Sequence, residues 1–251
     1  MVDVDVVRDI EAVTMRTWPP LHLEEHDGWV LRAAGGVTGR ANSVWPRAAG
    51  VLDIDSKLAA VERFYAKHGL PSMLQLSPAS RPADLADLLQ ARGYAVRAAP
   101  RAVQTAPVQQ VAEVGDAAAV RIAPELDETW FTILGEVNTT FGRNAATARA
   151  LLAGVNVPSA YAVLTLDGEP AAAGRGVVDS GWLGIFNMAT LPAFRRRGAA
   201  SAILAALAKW ASSLGATNSY LQLEADNAAA PALYEKAGFT PAYEYSYWSL
   251  S

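Results

Sequence analysis

The sequence predicts a mixed α/β fold in two related halves, and three observations carry that prediction. Helical periodicity and strand alternation follow one another in the second half as helices, a meander of strands joined by tight turns, then strand, helix, strand, helix, strand. The terminal part of this pattern recurs earlier in the chain. At 251 residues, 51% hydrophobic and 18% charged, the chain can bury real cores and has room for two domains of about 100 to 150 residues.

The elements of the second half follow in order. Residues 125–140 and 144–153 read as helices. A strand over 161–166 leads into Asp167-Gly168, a strong hairpin turn, and a strand over 170–178 follows. Asp179-Ser180-Gly181 turns the chain into a further strand over 182–191. Pro192 and three arginines then precede a helix with Ile203, Leu204, Leu207, Trp210, Ala211 and Leu214 on one face, stopped by Gly215. A strand over 220–224, a helix over 228–237 ending at Gly238, and a closing strand in which Tyr243, Tyr245 and Tyr247 alternate complete the order.

Residues 64–76, FYAKHGLPSMLQL, parallel 210–223, WASSLGATNSYLQL: each has an aromatic residue, a glycine that ends the helix, and Leu-Gln-Leu. Residues 88–94, LLQARGY, parallel 233–239, LYEKAGF. Two such matches in the same order, at nearly the same separation, imply duplication. Between the halves, 104–119 is polar and small-residue-rich without helical periodicity, as an interdomain connection should be. The expected domains are 1–110 and 118–251.

Composition excludes several functions. With 21 basic and 25 acidic side chains the formal charge is −4, so no global positive field holds nucleic acid, and any anion site is local. There is no cysteine for a disulfide, a thiolate metal site or an acyl-enzyme. His22 and His26 flank Glu24-Glu25, which reads as a solvated loop rather than a metal site, and His68 is distant in sequence. The acidic first residues do not resemble a signal peptide, and no apolar run approaches the ~20 residues of a membrane span. These features read as a cytoplasmic protein with no metal and no membrane association.

The run Arg195-Arg196-Arg197-Gly198-Ala199-Ala200 is locally unfavourable before a helix, where like charge costs up to ~1 kcal/mol per residue. An anion would offset it. Gly198 and Ala200 leave backbone N–H groups free to close around a phosphate, which the helix dipole favours. A solvent-exposed basic turn capping an Ala-rich helix would look the same in this segment alone.

The surroundings separate the two readings. Residues 188–204, MATLPAFRRRGAASAIL, resemble the central motif of the GNAT superfamily of N-acetyltransferases, in which a strand passes through proline to [Arg/Gln]-x-x-Gly-x-[Gly/Ala] and a helix. Residues 227–239, NAAAPALYEKAGF, look like that superfamily's second motif with one extra residue between asparagine and leucine. The resemblance covers about 120–251 and implies two GNAT-like domains, each a twisted, mixed, mostly antiparallel sheet flanked by helices. It also implies acetyl-CoA as co-substrate. Its pyrophosphate would lie on the amides of Arg196, Arg197, Gly198, Ala199 and Ala200, with Arg195 and Ser201 at the edges. Met188, Ala189 and Thr190 would pair with pantetheine, and Asn227 would contact the same arm. Arg196 stands where glycine is frequent, a departure that bears on affinity.

The same resemblance makes Tyr234 the general acid for the departing thiolate; the other reading is a tyrosine packed on the core. Glu224, at a strand end beside the expected cleft, is a candidate base or, with Asp226, a helix cap. Glu136 and Asn187 are weaker candidates for orienting an acceptor, and solvent could deprotonate the amine. No Ser-His-Asp arrangement stands at a nucleophile elbow, which favours direct transfer.

Before its helix the first half carries Asp53 and Asp55 where phosphate would go, so it should not bind CoA. It resembles the degenerate first halves of tandem GNAT proteins, with adjoining strands expected over 28–36 and 38–44. Arg40, Asn42 and Ser43 form a polar cluster that suits either a small polar acceptor or an ordinary hydrogen-bonded hairpin. Trp18, Trp29 and Trp45 read as core packing. The expected activity is acetyl transfer to a primary amine of a small molecule or peptide, by a monomer or homodimer. The alternatives are another acyl-CoA or aminoacyl donor, and a noncatalytic CoA-binding sensor.

Overall fold

A computed structural model describes residues 2–224 and 231–250, with Glu224 and Pro231 described by backbone alone. Helix α1 (Val4–Thr17) starts at Asp3, whose carboxylate accepts from the N–H groups of Asp5 and Val6. A small sheet follows: β1 (His22–His26), β2 (Trp29–Ala33) and β3 (Trp45–Pro46), paired in that order. Then come α2 (Ile54–Lys67), β4 (Leu74–Leu76), α3 (Leu85–Gln90), β5 (Tyr94–Val96), β6 (Arg101–Pro107) and α4 (Val108–Ala112). The second half runs β7 (Val120–Ala123), α5 (Glu128–Val137), α6 (Thr139–Arg143), α7 (Ala145–Ala153), β8 (Ser159–Leu166), β9 (Glu169–Asp179), β10 (Trp182–Thr190), α8 (Ala199–Ser213), β11 (Asn218–Glu224), α9 (Pro231–Lys236) and β12 (Thr240–Leu250).

The fold is the mixed α/β class that the sequence predicts, and the repeated pattern has a structural counterpart. In the first half α2, Gly69, β4, α3, Gly93 and β5 succeed one another; in the second, α8, Gly215, β11, α9, Gly238 and β12. All four glycines have positive φ, as helix-ending glycines do.

Four local expectations differ from the structure. Residues 38–44 form no strand: the Asn42 side chain accepts from the N–H groups of Ala34 (2.7 Å) and Gly36 (2.9 Å) and donates to Thr38 O (2.7 Å), winding Gly39–Ala41 into a 3-10 turn. The connector expected over 104–119 is instead largely β6 and α4, whose Val103, Ala106, Val108 and Val111 are buried. Short alanines and a five-residue helix leave too little periodicity to read. The helix expected over 125–140 breaks at Asn138, whose side chain accepts from Phe141 N–H to start α6. The His22–His26 segment is the edge strand β1 rather than a loop, and His22 stacks on His68 at 4.5 Å.

The large sheet has the order β4-β12-β6-β11-β10-β9-β8-β7, with β5 also on β12. Strand β6 lies between β11 and β12, antiparallel to both, while β12 crosses to pair with β4 and β5. The halves therefore share strands. One face packs α1 and α5 through Val7, Ile10, Trp130 and Leu134; the other packs α8 through Ile203 and Leu207. A Cβ at Gly174 of β9 would come within 2.5 Å of Ile203 Cγ2, so glycine lets α8 sit close. Burying side chains such as Ile203 and Leu207 contributes about 1.5–3 kcal/mol each. That outweighs the ~1 kcal/mol cost of a strand glycine.

Candidate active site

The site forms where the sheet opens. Strands β10 and β11 pair in parallel only at Trp182, Leu183 and Gly184 with Asn218, Ser219 and Tyr220. Beyond Gly184 and Tyr220 no pairing joins them among the described residues, although β10 runs on to Thr190 and β11 to Glu224. On its other side β10 stays on β9 across a bulge between Phe186 and Ala189, with Asn187 at φ 54°. The result is a wedge with unpaired backbone on both walls.

At one mouth of the wedge, Gly198 caps α8 with φ 79° and no side-chain hydrogen bond. The first-turn N–H groups of Ala199, Ala200 and Ser201 have no partner within the helix. Nothing lies within 4 Å of where a Gly198 Cβ would stand, so the cap faces open space. Helix α2 gives the contrast: Asp53 caps it, accepting from Ser56 N–H at 2.9 Å. Asp55 beside it is hydrogen-bonded to Arg92. One repeat has its own anion at the helix start and the other lacks one.

A cleft of about 580 Å3 lies in front of the α8 cap. Among the sequence-derived cofactor residues, Met188, Ala189 and Thr190 line one side of it, Arg195, Arg196 and Gly198 through Ser201 another, and Tyr234 a third. Val137 and Leu233, which the sequence did not single out, also line it. Two of the arginines are engaged with the protein. Arg195 Nε reaches Thr190 O at 3.4 Å, and Arg197 donates to Asp167 at 2.8 Å from outside the cleft lining. Arg196 has no side-chain partner among the described residues, and its φ of 60° explains why glycine is frequent at this motif position. Open amides, a free guanidinium and a concave wall fit a pyrophosphate.

Tyr234 is buried against Phe239, with ring centroids 5.8 Å apart, and burial pushes its hydroxyl up to about 12. It therefore combines core packing with a place on the cleft wall. The Glu224 backbone ends β11; its side chain and all of Asn227 lie outside the described residues. Glu136 is exposed on α5 and does not line the cleft. Asn187 Oδ1 is buried with no partner among the described residues.

The wedge interior is built from both halves. Phe186 of β10 packs on Trp18 (5.7 Å) and Tyr220 (5.9 Å), and the Tyr220 hydroxyl bonds Thr14 and Thr17 of α1. Trp29 and Trp45 are core residues as expected, and Trp45 Nε1 donates to Glu11. Ser43 donates to Gly39 O and, with Gln75, binds Arg32, so Asn42 and Ser43 serve the hairpin. Arg40 alone of that cluster points toward the second half, where it meets the Gln222 carbonyl and the Phe186 ring. Sequence reading missed Arg175, wholly buried in β9, its guanidinium within 6 Å of the rings of Trp18, Tyr161 and Phe186. Burial lowers it to about 10, which leaves it charged at neutral pH. Its signal was a lone cation in the apolar strand EPAAAGRGVVD.

A sheet splayed beside an open helix N-terminus defines an N-acetyltransferase of the GNAT superfamily, and the comparisons agree. The profile of a family described as "Probable histone acetyltransferase Rv0428c C-terminal" matches residues 5–248, and the chain belongs to that family. It is 28% identical over 247 residues, 97% of this chain and 98% of the relative, to a Bacillus subtilis (strain 168) protein described as the uncharacterized N-acetyltransferase YobR. In fold it resembles a GCN5-related N-acetyltransferase from Kribbella flavida, with TM-score 0.72 at 16% identity over 97% of this chain and 95% of the other. A tandem GNAT protein from the clavulanic acid biosynthesis pathway gives TM-score 0.64 at 12% identity over 96% and 86%. The protein is an acyltransferase with the two-domain arrangement seen among these folds.

Proposed function

We propose that this acetyltransferase moves acetyl from acetyl-CoA directly to a primary amine of a small molecule or peptide, in the cytoplasm. Residues 118–251 would carry the cofactor and 1–110 the acceptor side. The observation that supports the reading best is the cleft running from the uncapped α8 N-terminus to Tyr234 along the unpaired edge of β10.

Bound acetyl-CoA supplies an acyl carbon activated by its thioester. The amides of Gly198 through Ser201 hold the pyrophosphate, with Arg196 as counter-charge, and β10 at Met188, Ala189 and Thr190 aligns the pantetheine arm. The amine nitrogen attacks the acyl carbon, the new C–N bond forms, and the C–S bond breaks. The departing sulfur takes the Tyr234 proton, which a hydroxyl at about 12 retains at neutral pH. Before attack the amine loses its ammonium proton to Glu224 or to water, and the proton that the nitrogen sheds after attack restores Tyr234 through solvent.

Thiol release tests this across a panel of amines that includes lysine-bearing peptides, since the family description names a histone acetyltransferase. For Tyr234→Phe the expected result is kcat down about 10²-fold with CoA affinity within twofold. Unchanged kcat removes Tyr234 as the acid. CoA binding without turnover for any amine or acyl donor would favour a sensor, and turnover only with another donor would change the acyl group.

A further inference from the structure

The 3-10 turn at Gly39–Ala41 sends one side chain of the first half into the wedge between β10 and β11. Arg40 Cζ stands 5.9 Å from the centroid of Phe186 on β10, and its Nη2 reaches the Gln222 carbonyl on β11 at 3.5 Å. Both positions lie two residues past the point where the strands stop pairing. Arg40 thus bridges the opening where an acceptor must meet an acyl group held along β10.

The bridge is charged and incompletely satisfied. Arg40 Nε is buried and has no hydrogen-bond partner, and no carboxylate pairs with this guanidinium among the described residues. Its neighbours are the hydroxyls of Tyr245, to which it also hydrogen-bonds, Tyr247 and Tyr220. Arg175 Cζ lies 5.6 Å from the same Phe186 ring; its Nη2 donates to Thr17 O, and its Nε and Nη1 have no partner among the described residues. Two guanidinium groups around one ring, facing tyrosines rather than acids, make a locally positive wedge in a chain of net charge −4. The turn is firmly set: Asn42 ties its backbone to Ala34, Gly36 and Thr38, and the Tyr247 ring stands where a Gly39 side chain would go. Beside it a cavity of about 440 Å3 opens against Gly39, Asn42 and Tyr247. A flat guanidinium edge set between aromatic rings matches a planar carboxylate.

We propose that Arg40 reads a carboxylate on the acceptor, so that the substrates are amines carrying a carboxylate: amino acids and their small derivatives. The proposal rests on the acetyltransferase reading and narrows its acceptor class. Arg40 is a specificity residue here, contributed by the half that lacks the cofactor loop.

The test pairs each proteinogenic amino acid with its carboxamide and measures kcat/KM by thiol release, alongside calorimetric titration of the CoA-saturated protein with the same compounds. The expected result is at least one acid preferred over its amide by tenfold or more. Arg40→Gln should collapse that ratio to within about twofold through a higher KM for the acid, and Arg40→Lys should retain an intermediate ratio. CoA affinity, within twofold of wild type in both variants, reports an intact fold. A ratio near one for every pair, a ratio that survives in Arg40→Gln, or binding of no acid overturns the proposal. Turnover of amines lacking a carboxylate, with no acid binding, overturns it while leaving the acetyltransferase reading intact. Loss of CoA binding by the wild type would instead sink that reading.

Discussion

Arg197 Nη2 lies 2.8 Å from Asp167 Oδ2, tying the loop before α8 to the turn between β8 and β9. Its neighbour Arg196 lines the cleft with no protein partner among the described residues. The three arginines are therefore unequal. An exposed ion pair contributes about 0–1 kcal/mol, so Arg197→Gln should change CoA affinity less than about threefold. Arg196→Glu should weaken it tenfold or more by setting like charges against the phosphates. Calorimetric titration with CoA checks both; with Arg196→Gln and Arg197→Gln, which remove the same charge, equal effects would show that the loop acts only through its summed charge.

Gly198 should resist substitution for a conformational reason. Its φ of 79° is left-handed, and the space before it is open, so alanine meets no clash but costs roughly 1–2 kcal/mol of backbone strain. Gly198→Ala should melt a few degrees lower and bind CoA at least tenfold more weakly, since the methyl enters the open space proposed for the phosphate. Wild-type affinity in this variant would exclude the cradle.

Acid should weaken the first half through Asp27. Lys57 Nζ, almost wholly buried, sits 2.8 Å from Asp27 Oδ2, and the N–H groups of Val51 and Leu52 also donate to that carboxylate. The Lys57 hydrogen bond, first among these, lowers the Asp27 carboxyl from 3.8 to about 2. A depressed carboxyl contributes its stability in full above its unfolded value and loses it as pH falls toward the folded one. The Tm gap between wild type and Asp27→Asn should be widest above pH 5 and close as pH approaches 2. A constant gap over that range would disprove the assignment.

Shared strands should make unfolding a single event. Strand β12 has β4 on one edge and β5 followed by β6 along the other, all from the first half. Differential scanning calorimetry should show one transition, with calorimetric and van't Hoff enthalpies equal. Two separable transitions would mean that the strand exchange contributes little to cohesion.

Much of this was legible beforehand, and the exceptions have causes. The helix of residues 199–213, the turns at Asp167-Gly168 and Ser180-Gly181, and the repeated helix-glycine-strand order are local patterns whose periodicity and φ demands appear in the residues themselves. Strand β6 reads as a connector because residues 104–107 are polar or small and only Val103 and Ala106 of the strand are buried, a spacing of three that lacks strand alternation. Arg40 could not be separated from Asn42 and Ser43 by sequence, since all three sit in one polar turn and only their directions differ.

The sequence by itself determined the class of fold, the repeat, and the basic loop that opens a helix, because each rests on interactions within a few residues. Only the tertiary structure decided that β6 locks the halves together, that Arg197 is held by Asp167 while Arg196 stays free for the cleft, and that Arg40 enters the wedge between Phe186 and Gln222. Those outcomes depend on which side chains from distant segments become neighbours, and packing sets that, not local propensity.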